Sequence, residues 1–221
     1  MLQAMNIKKE KSLKLQLFEE IHNNIKNRGF KLNVTKGMYT HQPTKGVTEL
    51  FMLVCPHGAT GWRVHPDVGI RFDVVEDIFH QVSGYEKKYQ KGTPTIGTGV
   101  GNLLFGDNRK CEFLLASASD LSSVADNIEK VFCSVALPYY QEFGSIYAVD
   151  ALLNSNPRES SRQRPVWERY ATGLIVAKLT KRTNYDELVS IYKEILTTLN
   201  NGFYLKKLLL LIEILNSIVT P

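Results

Sequence analysis

Between residues 62 and 74 apolar and polar positions alternate without a break. Trp62, Val64, Pro66, Val68, Ile70, Phe72 and Val74 fall on one parity, and Arg63, His65, Asp67, Gly69, Arg71 and Asp73 on the other. Successive side chains of a β-strand point to opposite faces, so the run specifies a strand with one buried and one solvated side. Strands of this kind belong to antiparallel sheets that rest one face on helices. Pro66 has no N–H to give to a ladder, so the strand lies at an edge, carries a bulge or is interrupted there. The pattern dictates architecture and names no reaction.

The remaining periodicities build around that strand. Leu13, Leu17, Ile21 and Ile25 recur every fourth residue, predicting a helix over 11–28 with Gly29 as its C-terminal cap. Two short strands are expected at 30–34 and 37–41. Glu49 to Cys55 is apolar on both parities and reads as a central strand. A short helix is expected over 75–82, an exposed polar loop over 84–95, and a strand over 111–116. A helix led by Ser119 or Asp120 as N-cap follows; Pro138 is expected to break it before a further helical stretch to Leu153. Three helices near 165–180, 184–200 and 202–218 close the chain, with Asn184 as the N-cap candidate of the second. Helix, then strands, then helices is an α+β order: an antiparallel sheet with one face covered by helices, plus a C-terminal helical segment. The organisation expected is an α+β part over 1–155, a polar linker over 156–165, and helices over 166–221 packed on the first part.

Composition bounds the partners. The 27 basic and 22 acidic residues give a net charge of +5 spread along the chain, which argues against a nucleic-acid module, since those concentrate their charge. Three cysteines without a CxxC pair argue against a disulfide framework and for a reducing compartment. The first residues carry no apolar signal segment, and the longest apolar run, Leu208 to Ile212, is far too short to span a bilayer. A cytoplasmic protein with no membrane contact is the expectation.

The polar parity of the alternating strand is the main site candidate: Arg63, His65, Asp67, Arg71 and Asp73. Residues two apart share a face, so His65 can meet Arg63 or Asp67, and Arg71 can pair with Asp73. The arginines suit a carboxylate or phosphate, and His65 with Asp67 would make an acid–base pair. The plainer reading is a solvated face of modest ion pairs. Cys55, His57 and His65 lack the fourth ligand of structural zinc, so no metal is expected. Gly97-Thr98-Gly99-Val100-Gly101 has neither GxGxxG nor Gly-Lys-Ser/Thr, and Leu103 to Asn108 reads as a turn, so a closely packed loop is expected and no cofactor. Arg158, Arg162, Arg164 and Arg169 could grip an acidic partner but read more simply as a solvated linker. GxSxG and HExxH are absent.

The first helix ends in Arg28-Gly29-Phe30, the strand of 49–55 and Val68-Gly69-Ile70 follow, and a later helix runs into Leu137-Pro138-Tyr139-Tyr140-Gln141-Glu142-Phe143. In that order, over residues 12–155, the chain resembles a widespread family of bacterial domains of unknown function, with a Gly-Phe after the first helix and a Leu-Pro-aromatic segment near the end. Some of those domains neighbour toxin–immunity genes, which implies a binding role and brings no catalytic residues. The expectation is therefore a non-enzymatic domain, immunity-type or regulatory, that binds a protein partner, with a homodimer as the second arrangement. The alternative is a hydrolase or transferase on an anionic substrate: His65 as acid–base, Asp67 orienting it, Arg63 and Arg71 clamping the anion.

Overall fold

The alternating run folds as the longest strand of a seven-stranded antiparallel sheet in the computed structural model, which describes residues 12–159 and 165–218. The strands are β1 (Lys31–Asn33), β2 (Met38–Thr44), β3 (Val47–Val54), β4 (His57–Gly58), β5 (Gly61–Phe72), β6 (Ile96–Gly99) and β7 (Phe113–Leu115). β1, β2, β3 and β5 are neighbours in that order, and β4 makes a two-residue hairpin with the start of β5. β6 pairs with Asp67–Ile70 of β5, and β7 with Trp62–Val64. Pro66 falls in the gap between those two partners, so its missing N–H costs no ladder bond there. None of the three arrangements expected for Pro66 is adopted: β5 runs through it unbroken and paired with Leu53 of β3, and only the partner on the other side changes, from β7 to β6.

The helices are α1 (Leu13–Ile25), α2 (Asp73–Phe79), α3 (Lys87–Gln90), α4 (Val100–Phe105), α5 (Leu121–Val131), α6 (Leu137–Phe143), α7 (Ile146–Asn154), α8 (Val166–Leu179), α9 (Tyr185–Thr198) and α10 (Leu205–Ser217). The fold is α+β, as the order of elements predicts. α1, α5 and α6 cover one sheet face, where Phe30, Phe51 and Phe132 meet edge to face at about 5 Å. Gly29 closes the 3-10 turn Lys26–Arg28 that follows α1, at φ +85°, the conformation only glycine adopts freely. One continuous set of buried side chains runs from Leu17 through the sheet to Leu215 of α10. Among the described residues no helix is long and apolar enough to cross a membrane.

Four local expectations are corrected. Pro138 does not break the helix: a π-helical turn over Phe132–Ala136 carries α5 into α6, and the break comes at Gly144-Ser145, where Ser145 caps α7. The wide turn makes room for the ring and for the hydrogen bond proline cannot donate. Asp120 does stand at the N-cap of α5, but its side chain does not cap that helix; it closes a capping box with Ser117 on the 3-10 turn Ala118–Asp120 just before it. Asn184 does not cap α9, because its Oδ1 accepts from Arg182 Nε at 2.8 Å. Residues 100–105 form the short helix α4 where a turn is expected.

The second sheet face is only partly wet. Arg71 is 7 % exposed although it lies on the parity expected to meet water, and Leu50, opposite Gly69 on the same face, is 2 % exposed, as a strand apolar on both parities requires. The segment 84–95, which carries α3, lies across this face: a Cβ on Gly69 would stand 3.0 Å from Pro94, and one on Gly92 3.7 Å from the Lys36 ammonium. Alternation along a strand says which way a side chain points; it does not say what a distant loop lays over it.

Candidate functional site

The five predicted residues divide between two clusters. Arg71 and Asp73 form the expected pair, Nε to Oδ1 at 2.8 Å. Arg71 Nη1 also donates to the carbonyls of Gln90 (2.8 Å) and Thr93 (3.0 Å). Beneath it lies Glu76, whose side chain is 0 % exposed; Thr93 Oγ1 donates to Glu76 Oε2 at 2.9 Å. His80 Nε2 stands 3.2 Å from the Gln90 carbonyl, which can only accept, so Nε2 carries the proton. This network ties β5 and α2 to the 84–95 segment. Glu76 stands in the first turn of α2 with its side chain buried.

The second cluster gathers on Glu112. Arg63 Nη1 and His65 Nε2 approach its two carboxylate oxygens at 3.3 and 3.2 Å. His65 and Asp67 make no hydrogen bond to each other; His65 Nδ1, Asp67 Oδ1 and Asn108 Oδ1 are buried polar atoms without a hydrogen-bond partner among the described residues. Burial holds the Asp67 carboxyl above the usual range, opposed by a hydrogen bond from Asn108 and by the nearness of His65. A raised acid binds its proton more tightly folded than unfolded. Its cost is therefore present at neutral pH and fades as pH falls through the folded value toward the unfolded one near ~4. Asp67→Asn is expected to raise Tm at pH 7, with the difference from the parent closing toward pH 4. An unchanged or lower Tm at pH 7 would contradict this account of Asp67.

The other candidates resolve into structure. A Cβ on Gly99 would overlap the Asn108 side chain, and one on Gly97 would stand 2.9 Å from the Val68 carbonyl, so both glycines permit close packing. Burial pushes the Cys55 thiol up to about 11, leaving it protonated at neutral pH, and its Sγ faces the Leu53 carbonyl. The His57 ring packs edge-on against Trp62. No group of three or more His, Cys, Asp or Glu is placed to hold a metal ion among the described residues. Arg158 pairs with Glu194, and the buried Arg169 donates to the carbonyls of Leu153 and Asn156; Arg162 and Arg164 lie outside the described residues.

One pair escaped sequence reading. His41 on β2 and Glu49 on β3 are direct cross-strand partners, with Nδ1 2.9 Å from Oε2. They line a cavity of about 240 Å³ together with Arg28, Phe30, Leu137, Tyr140 and Gln141. The legible signal was parity: His41 follows inward Tyr39 and Glu49 precedes inward Phe51, so both polar groups occupy core-facing positions.

At one end of the outer face three exposed side chains share the same side of the sheet, with Val54 opposite His65 and so diagonal to Arg63. Val54 of β3 is 49 % exposed, the Arg63 side chain 54 %, and Leu114, the cross-strand partner of Arg63, 47 %. Comparison with protein-family models, curated proteins and solved structures finds no match.

Proposed function

We propose that this chain is a non-enzymatic cytoplasmic protein of the immunity or regulatory type, which binds an acidic-rimmed protein partner through the patch of Val54, Arg63 and Leu114. The observation that carries this reading is the patch itself: one exposed aliphatic side chain opposite and one diagonal to an arginine whose ion pair to Glu112 is long and half in water. Exposed pairs of that kind are worth about 0–1 kcal/mol, so Arg63 is readily redirected to a partner carboxylate. Arginine beside apolar surface is the composition of interface centres. The donors of Arg71, by contrast, are committed within the chain. The resemblance to domains that neighbour toxin–immunity genes supports the same reading.

The test is co-purification from the source cells with the parent and with Arg63→Glu/Leu114→Asp. A stoichiometric protein retained by the parent and lost by the double variant, with both chains equally folded by circular dichroism, is the expected result. A partner held equally by both would overturn the assignment of this surface.

The His41–Glu49 pair supports a second reading, in which the alternative enzyme acts on a small anion. There His41 would be the acid–base group, Glu49 would orient it through Nδ1, and Arg28 would hold the anion. Hydrolysis of phosphate or carboxylate esters by the parent, abolished in His41→Gln, is its expected result; no turnover by the parent would end it.

A further inference from the structure

The last helix carries more apolar surface than the chain covers. Leu208, Leu211 and Leu215 of α10 are buried, and the helix packs on α8 and α9. Leu209 and Leu210, on its other side, are 41 % and 47 % exposed, and the exposed Phe203 stands just before the helix. Residues of a helix advance by about 100° each, so the centre of this outer face falls on Lys206 and Glu213. Leu209 lies on one flank of that line and Leu210 on the other.

The two charges are spaced so that they do not pair within the chain. Lys206 and Glu213 stand two turns apart, roughly 10 Å along the axis, whereas helix ion pairs form between residues three or four apart. Both are exposed, and neither has an ion pair or hydrogen bond among the described residues. The adjacent Lys207 behaves differently: it donates to the Ser83 carbonyl at 3.2 Å and lies over the Trp167 ring.

We propose that the outer face of α10 binds a second copy of this chain, antiparallel and related by a two-fold axis. An axis midway between Leu209 and Leu210 sets each Lys206 opposite the second copy's Glu213, and symmetry makes that ion pair twice. Leu209 and Leu210 of both copies then fill the centre between the two pairs. A parallel arrangement would set lysine against lysine and glutamate against glutamate, so the charges select the antiparallel register. The leucines supply the attraction by leaving water. One helix face is small against the ~800 Å² per partner of a standard interface, so the dimer is weak and depends on concentration. This face shares no residue with the patch of Val54, Arg63 and Leu114.

The experiment is sedimentation velocity of the full chain from micromolar to millimolar concentration, with circular dichroism to show that every variant is folded. The parent is expected to pass from monomer to dimer across that range. Lys206→Glu and Glu213→Lys are each expected to weaken the dimer at least about ten-fold, because each sets like charges face to face. The double variant Lys206→Glu/Glu213→Lys is expected to restore it, since reversal of both charges rebuilds both pairs. A dimer that survives the single reversals, or one that the double variant does not recover, would overturn the proposed register. A parent that stays monomeric throughout would overturn the dimer itself. In that event a lower Tm for Leu210→Asp would give the face to another segment of this chain, and an unchanged Tm to a different protein.

Discussion

Arg71→Leu is expected to destabilise the fold by about 3–5 kcal/mol, the range for breaking a buried ion pair from one side. The change removes the donors that hold the Gln90 and Thr93 carbonyls and takes from Glu76, whose side chain is 0 % exposed, the Arg71 guanidinium 4.0 Å away, while His80 Nε2 stays 3.6 Å from its carboxylate. A charge stranded in the interior is the costly part, so removing the charge as well should recover stability. Arg71→Leu/Glu76→Leu is accordingly expected to be more stable than Arg71→Leu alone. Freed from β5, the 84–95 segment should become the first site of proteolytic cleavage in the single variant. Thermal denaturation of the three chains, with limited proteolysis mapped by mass spectrometry, checks both statements. A single variant within about 1 kcal/mol of the parent would mean that the network is incidental.

The second large effect lies beside the expected linker. Asn154 is 1 % exposed; its Nδ2 donates to Asp150 Oδ1 and to the Gly173 carbonyl, and its Oδ1 accepts from the Tyr192 hydroxyl. Those partners belong to α7, α8 and α9, so one amide fastens three helices. Asn154→Ala strips partners from buried polar groups at about 1–3 kcal/mol for each one left unsatisfied, and a total loss of about 3 kcal/mol is expected. Tyr192→Phe removes one of those bonds and should cost about 1 kcal/mol. Equilibrium denaturation in urea measures both. Equal losses in the two variants would show that Asn154 acts through Tyr192 alone.

Both effects explain how far the sequence could be read. Periodicity located the main strands and helices because it reports which way each side chain points, and Leu17, Phe51, Val68 and Ile128 are buried as that rule demands. It also brought Arg71 to Asp73, although Asp73 is the first residue of α2 and lies just past the end of the strand. What it missed depends on contacts between distant segments. Thr93 and Gln90 reach Arg71 only because a polar segment folds back across the sheet, and Glu112 joins Arg63 to His65 from outside their strand. Asn154 opens a run of Asn, Ser, Pro and Arg that carries every mark of a linker, yet its own side chain is enclosed. The His41–Glu49 pair was readable in principle, as two polar residues on the apolar parity of their strands. A polar side chain that interrupts an apolar parity must find a partner in the interior, so it marks a built contact more strongly than a polar side chain on a wet face.

The measurement that tests the central proposal most directly is site-specific photocrosslinking in the source cells. A benzophenone amino acid is placed at position 114, beside Arg63, and in a second chain at Ser123, an exposed position on α5. The account predicts one discrete protein adduct from position 114, absent from position 123 and lost when Arg63→Glu is added. No adduct at 114, or the same adduct from both positions, would contradict it.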